Sequence, residues 1–480
     1  MVTRCRDNSR SEGHSQVCRR WLRAPHPPRR PWRPEPFRGP ASRFTVPRVN
    51  IAVPLIAALL ATTAQAVPAS ADGCGPLRVP GAEHQELTHL ADLSTAGGRT
   101  DPADWAGLTP AGLPAPTPVP GTQVDGYFPD SSTGNTNHGW AHDSQFVIRL
   151  PARWNGGLVV AGSPGVREQY ANDRAISDFV LARGYAFAST DKGNTGATFY
   201  RDGSRPGDAI AEWNHRVTQL TRAAKAVVAQ RYCRPPSRTL ATGLSNGGYL
   251  VRWQLENRPE LYDGGVDWEG TLWTARGPNL LTFLPPALKG YATGDKAAVV
   301  AAGFPAESEF LWQFHHQYYW DLTQRIYREE LDPAWDGDAE AGTPFCAPGT
   351  PLCDADYDYA ARPGARRAVE RIALTGRIGK PLLTLHGTLD VLLPISRDSD
   401  VYADMVRREG RGALFRYYRI EGGTHVDSLF DAFPDRLRPL TPCHRSAFVA
   451  LEGWLSGTRP PASATVPRPA AVSAAECALS

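Results

Sequence analysis

The stretch Arg238-Thr239-Leu240-Ala241-Thr242-Gly243-Leu244-Ser245-Asn246-Gly247-Gly248-Tyr249-Leu250-Val251-Arg252-Trp253 decides how this chain is read. Arg238–Thr242 has the apolar and β-branched content of a short strand. Tyr249, Leu250 and Trp253 then open a helix, which Pro259 ends. Between them lies Gly243-Leu244-Ser245-Asn246-Gly247, a G-x-S-x-G turn. The pattern alone is common by chance, and the bland reading is a glycine-rich structural turn. The strand before it and the helix after it give it meaning. A sharp strand-to-helix turn strains the serine backbone, and Cβ atoms two residues either side would collide. The hydroxyl is then aimed at solvent beside the positive end of the helix dipole. Ser245 is the candidate nucleophile.

Working outward, Phe146–Ile148, Leu158–Ala161 and Tyr185–Thr190 read as further strands, followed later by Gly264–Trp268, Pro381–His386 and Leu414–Ile420. Residues 211–231 carry Val217, Leu220, Ala224, Val227 and Val228 on one face of a helix, and a final helix carries Phe448, Leu451 and Leu455. Alternating strands and helices imply an α/β fold with a mostly parallel sheet.

If the order is serine, acid, histidine, the base lies late in the chain. Two histidines follow residue 390, His425 and His444. His444 adjoins Cys443 at the start of the closing helix, a structural position. His425 lies in the glycine-rich loop Glu421–Val426, past the last strand, and is the candidate base. Asp390 ends Leu385-His386-Gly387-Thr388-Leu389-Asp390 after a buried strand and is the favoured acid, with Asp267 and Glu269 as rivals. An oxyanion requires two N–H donors. Asn246 supplies one. Gly165, in Gly162-Ser163-Pro164-Gly165, is chosen for the other, with Ser163 as fallback; Pro164 has no N–H. Asp191 and Lys192 follow a strand at the same sheet edge and are candidate lining residues, a structural ion pair being the alternative.

The turn, the His386-Gly387…Asp390 segment and the late histidine together resemble an α/β-hydrolase over about residues 140–457. Gly162-Ser163-Pro164-Gly165-Val166, Ala188–Gly196 and Ser245-Asn246-Gly247-Gly248 resemble secreted 3-hydroxybutyrate oligomer hydrolases. The stretch Gly184–Asp191 is also similar to the tannase and feruloyl esterase group. Enzymes of that group typically carry a cysteine directly before the nucleophile, paired with one near the catalytic histidine. Leu244 and Val426 stand in those neighbourhoods here, a departure from the group.

The 480 residues divide by composition. Residues 1–71 hold twelve Arg, no Lys and three acids, whereas residues 72–480 hold 40 basic and 46 acidic side chains. The leading segment reads as a signal peptide: Arg43 and Arg48, an apolar run Ile51–Ala61, and Ala64-Gln65-Ala66 or Ala69-Ser70-Ala71 for cleavage. Arg19-Arg20 resembles a twin-arginine signal, with a start site further downstream as the other reading. The mildly acidic remainder has no electrostatic footprint for nucleic acid. No apolar run is long enough to insert the mature chain in a membrane. Cys74, Cys233, Cys346, Cys353, Cys443 and Cys477 allow three disulfides, Cys346–Cys353 being the first choice.

The expected organisation is a leader (1–71), an N-terminal wrapping segment (72–140), a first core part (141–270), a large cap insertion (271–370), and a second core part with tail (371–480). Aromatics such as Trp273, Phe304, Trp312 and Trp320 read as cap core, and His315-His316 among them as packing rather than substrate contacts. Asp354-Ala355-Asp356-Tyr357-Asp358 starts like a calcium loop, but Tyr359 and Ala365 stand where Gly and Glu belong, which excludes an EF-hand and leaves an irregular site or a solvated acidic loop. No metal and no cofactor is expected. The resemblance implies a secreted serine hydrolase acting on a small-molecule or oligomeric carboxylic ester, such as a hydroxyalkanoate oligomer or a phenolic ester. A secreted aminopeptidase or amidase, using Glu307, Glu309 or Asp321 to bind an amine, is the first alternative, and a non-catalytic binding module the second.

Overall fold

The computed structural model describes residues 74–130, 144–193, 196–335 and 357–479. The leader, the Cys346–Cys353 pair and the start of the Asp354–Asp358 loop lie outside the described residues.

Ten strands form one sheet among the described residues. They are β1 (His84–Leu90), β2 (Gly121–Tyr127), β3 (Gln145–Pro151), β4 (Gly157–Gly162), β5 (Ala186–Thr190), β6 (Arg238–Leu244), β7 (Gly264–Trp268), β8 (Leu382–Gly387), β9 (Phe415–Ile420) and β10 (Ala464–Val466). Their order is β1-β2-β3-β5-β4-β6-β7-β8-β9-β10. Pairing is antiparallel from β1 through β5, and parallel from β5 to β10. From β4 the chain steps to β5 on one side and then to β6 on the other. That reversal opens a crevice at the carboxyl ends of β4 and β6, where ligands of open α/β sheets bind.

Ten α-helices accompany the sheet among the described residues: α1 (Asp178–Ala182), α2 (Asp208–Tyr232), α3 (Asn246–Asn257), α4 (Leu280–Thr293), α5 (Lys296–Ala302), α6 (Glu309–His315), α7 (Leu322–Leu331), α8 (Pro363–Glu370), α9 (Ser399–Arg408) and α10 (Thr441–Leu455). Side chains alternate across a strand. In β4, Leu158 and Val160 therefore join the core shared with α2, α3 and α9, whereas Val159 and Ala161 join the core shared with α1 and α10. Both faces are covered, and so the central strands read as unbroken apolar runs rather than alternating ones. The architecture is an α/β-hydrolase fold.

Helices α4–α8 fill the interval between β7 and β8. Phe283, Phe304, Trp312 and Trp320 of this interval are buried and continuous with the core on the α2 and α3 side. Residues 75–130 contribute β1 and β2 to the sheet edge. Cys74–Cys233 fastens the start of this segment to the end of α2, and Cys443–Cys477 fastens the tail to α10. No helix among the described residues is long and apolar enough to cross a membrane.

Candidate active site

Ser245 sits between β6 and α3 with φ 59° and ψ −120°, a backbone conformation that costs a non-glycine residue free energy. Its neighbours are crowded. A Cβ on Gly247 would lie 2.5 Å from the Gly162 carbonyl oxygen, and one on Gly243 would lie 2.5 Å from the Gly247 carbonyl carbon. The turn is pinned by the Ser245 N–H, which donates to the Trp268 carbonyl at 2.9 Å. Asn246 begins α3, so its N–H is one of the helix-start donors that have no intrahelical acceptor. Only 8% of Ser245 is exposed, which is more enclosed than the turn alone implies.

His425 reaches this serine from the loop after β9. Its Nε2 is 3.0 Å from Ser245 Oγ, and its Nδ1 is 2.8 Å from Asp390 Oδ2. Two glycines let the loops that carry His425 and Asp390 touch: a Cβ on Gly423 would lie 2.9 Å from the Gly387 Cα. Asp390 is fully buried, and its Oδ1 accepts the N–H groups of Leu392 and Leu393 at 2.7 and 2.9 Å. Burial opposes its charge, but His425 and His386 hold its carboxyl well below the usual carboxylate range. An ionised Asp390 accepts the Nδ1 proton, leaving Nε2 free to accept the serine proton.

Two of the three rivals, Asp267 and His444, occupy other positions. Asp267 receives a hydrogen bond from the buried Arg252 at 2.6 Å and another from Thr384 Oγ1 at 2.9 Å. Arg252 continues to Asp398 at 2.8 Å, so Asp267 belongs to a buried ionic tie between β7, α3 and the start of α9. His444 Nε2 lies 2.7 Å from Thr242 Oγ1, and its ring stacks on Trp268. Glu269, by contrast, lies at the site: its Oε2 is 3.6 Å from His425 Nδ1.

Beside the serine, Asn246 Nδ2 donates to the Gly165 carbonyl at 3.0 Å and to the Tyr327 hydroxyl at 2.6 Å. The Thr271 hydroxyl donates to Asn246 Oδ1 at 3.1 Å. Gly165 has φ 52°, the left-handed region that glycine adopts without penalty. The Ser163 N–H donates to the Thr190 carbonyl at 3.0 Å, which commits the fallback donor. Lys192 is buried under this loop, with Nζ 2.8 Å from Ser163 Oγ and 3.1 Å from the Gly165 carbonyl. Burial pushes its amine down to about 7, with Asp191 working the other way. The Asp191 carboxylate accepts the Gly193 N–H at 2.8 Å. Lys192 thus braces the loop from beneath, while Asp191 holds the turn at Gly193.

Tyr327 on α7 and the histidine pair bring the insertion into the picture. His315 is buried, with neither ring nitrogen hydrogen-bonded among the described residues. Burial, aided by His425, pushes it down to about 4. His316 stacks on Tyr291. Two of the three carboxylates considered for amine binding are already paired, Glu309 with Lys296 at 2.6 Å and Asp321 with Arg325 at 3.0 Å.

Tyr327 and His386 have no site role in the sequence, and Glu269 enters it only as a rival acid. His386 leaves a signal, four residues before Asp390. Its Nε2 donates to the Leu393 carbonyl at 2.8 Å and lies 3.1 Å from Asp390 Oδ2. Glu269, His386 and Asp390 present ligand-type atoms within 4.8 Å of one another. Most of these atoms are committed to hydrogen bonds with other protein groups.

Residues 132–267, which span the serine turn, match the family model described as tannase and feruloyl esterase. In that segment the chain resembles esterases of this group. Mono(2-hydroxyethyl) terephthalate hydrolase from Piscinibacter sakaiensis is 28% identical over 141 residues, covering 27% of this chain and 23% of that protein. The match therefore spans about a quarter of that relative. Among solved structures, feruloyl esterase B from Aspergillus oryzae aligns with TM-score 0.49 and 15% identity over 80% of this chain and 89% of that one. Tannin acyl hydrolase from Aspergillus niger aligns with TM-score 0.46 and 13% identity, over 77% and 82%.

Proposed function

We propose that the protein is a secreted serine hydrolase that cleaves carboxylic esters through an acyl-enzyme. One observation carries the reading: a relay of 3.0 Å from Ser245 Oγ to His425 Nε2 and 2.8 Å from His425 Nδ1 to Asp390 Oδ2. These are hydrogen-bond distances between a hydroxyl, an imidazole and a carboxylate, the set that acyl transfer needs. The family match over residues 132–267 favours esters over amides.

In this mechanism Ser245 Oγ attacks the ester carbonyl while His425 Nε2 takes its proton. Asp390 fixes the tautomer and stabilises the imidazolium. The N–H groups of Asn246 and Gly165 receive the oxyanion, and Asn246 Nδ2 together with Lys192 holds the Gly165 loop in place. His425 returns the proton to the departing alkoxide. Water then repeats the sequence on the acyl-serine and releases the acid. The two disulfides at Cys74–Cys233 and Cys443–Cys477 suit an oxidising, extracellular setting. The substrates this reading assigns are small or oligomeric esters, with hydroxyalkanoate oligomers and phenolic esters as the classes to try first.

The test is a panel of p-nitrophenyl acyl esters against aminoacyl anilides, with Ser245→Ala as control. Ester turnover that disappears in the variant supports the reading. Anilide turnover without ester turnover, or failure of a fluorophosphonate to label the wild type, overturns it.

A further inference from the structure

Glu269 takes no part in the mechanism above, yet its carboxyl is placed as if it should. It follows β7, one strand nearer the serine turn than Asp390, and it has φ 50°. Oε1 accepts the Gly387 N–H at 2.7 Å. Oε2 has no hydrogen-bond partner among the described residues, is fully buried, and lies 3.6 Å from His425 Nδ1. An unpartnered carboxyl oxygen buried beside a proton donor is costly unless it has a use.

We propose that Glu269 is a second positioning residue for His425, sharing the Nδ1 side of the ring with Asp390 and able to hold the imidazole when Asp390 cannot. The inference rests on the reading of Ser245, His425 and Asp390 as the reacting relay. Its physical basis is crowding of charge. Two buried carboxyls beside one imidazole do not both ionise readily. Asp390, with two backbone N–H donors and two histidines, is the better anion. Glu269 is left as the neutral acid, its carboxyl raised well above the usual range by burial and by Asp390. The groups that face this pair are His386 from the β8 exit, His425 and Asp427 from the loop after β9, Asp267 on β7 with its Arg252 partner, and His315 on α6. Removing the Asp390 charge lowers the cost of ionising Glu269, whose Oε2 can then accept the Nδ1 proton after a small ring shift.

This predicts an unusual order of variants. Asparagine at 390 offers an N–H to Nδ1 and pins the wrong tautomer. Alanine leaves Nδ1–H free for Glu269. Asp390→Ala therefore retains more kcat/KM than the isosteric Asp390→Asn, and its residual activity rises with pH as Glu269 ionises. Glu269→Gln alone keeps the Gly387 contact and stays within about tenfold of wild type. In Asp390→Ala/Glu269→Gln the alkaline rise disappears, and activity at about pH 9 falls about tenfold or more below the single alanine variant. Equal kcat/KM for the single and double variants at every pH overturns the proposal. Asp390→Ser, whose hydroxyl can still accept a backbone N–H, replaces alanine if that variant does not fold. Ser245→Ala in the same assay separates this outcome from failure of the relay itself: if that variant stays active, the functional reading falls, whatever Glu269 does.

Discussion

His425 Nε2 lies 3.0 Å from Ser245 Oγ although 180 residues separate them in the chain. The contact exists only because the exits of β6, β8 and β9 share one edge of the sheet, with Gly423 packed on Gly387. Both side chains are indispensable for the proposed chemistry. Ser245→Ala and His425→Ala are expected to lower ester kcat/KM by about 10⁴-fold or more. Their far-UV circular dichroism should stay near wild type, as should the thermal midpoint of Ser245→Ala; His425→Ala leaves the buried Asp390 carboxylate without this imidazole partner and should lower the midpoint.

The same serine stores strain. A residue at φ 59° and ψ −120° costs about 1–3 kcal/mol unless it is glycine. Ser245→Gly gives back about 0.5–1 kcal/mol of that through the freer unfolded chain. The net expectation is an inactive variant about 1 kcal/mol more stable than wild type in urea unfolding. A variant that is less stable than wild type contradicts the strained turn.

Much of this site is legible in the sequence because glycines and strand ends mark it. The strand before Ser245, the Leu385–Asp390 segment and the glycine loop before His425 announce where the sheet delivers side chains. Glu269 is legible only as a rival acid and Tyr327 not at all, since a single acid after a strand or a tyrosine on a helix has many ordinary uses. Their meaning comes from tertiary approach, 3.6 Å to His425 and 2.6 Å to Asn246. The strands β1, β2 and β10 were also hidden. The two edge strands β1 and β10 are partly exposed, and β2 and β10 carry few of the long apolar runs that reveal β4 or β8.

Two disulfides hold the ends of the described fold, at sequence separations of 159 and 34. Loop-closure entropy assigns about 5 kcal/mol to the longer loop and about 4 kcal/mol to the shorter. Reduction should therefore lower the thermal midpoint markedly. Cys74→Ala/Cys233→Ala should cost more than Cys443→Ala/Cys477→Ala. The reverse order in chemical unfolding would mean that the long loop is already restrained in the denatured chain.

Lys192 makes stability depend on pH in the alkaline range. Its amine titrates at about 7 in the fold against the usual 10.5. Below about pH 7 both states carry the charge, and the full burial penalty applies. Between 7 and 10.5 the unfolded chain holds the proton that the fold has released, so stability rises with pH, by up to about 1.4 kcal/mol per unit. Lys192→Met is expected to flatten that rise. It should also reduce kcat by freeing the Gly165 carbonyl, and with it the loop that carries the second proposed oxyanion donor. A variant with an unchanged pH–stability curve removes the buried charge from the account.

Glu269 gives the opposite slope. Its carboxyl stays protonated in the fold well above its usual value of 4.5. Below that value both states are neutral, and burial costs no charge. Above it the unfolded chain releases a proton that the fold retains, so stability falls as pH rises until the buried group ionises as well. Glu269→Gln keeps the Gly387 hydrogen bond and has no proton to lose. The variant should match wild type near pH 4.5 and exceed it by a margin that widens towards alkaline pH, measured as the difference in urea midpoints. A constant difference across that range would mean that Glu269 is already ionised beside Asp390, and the order of the two carboxyls would have to be reversed.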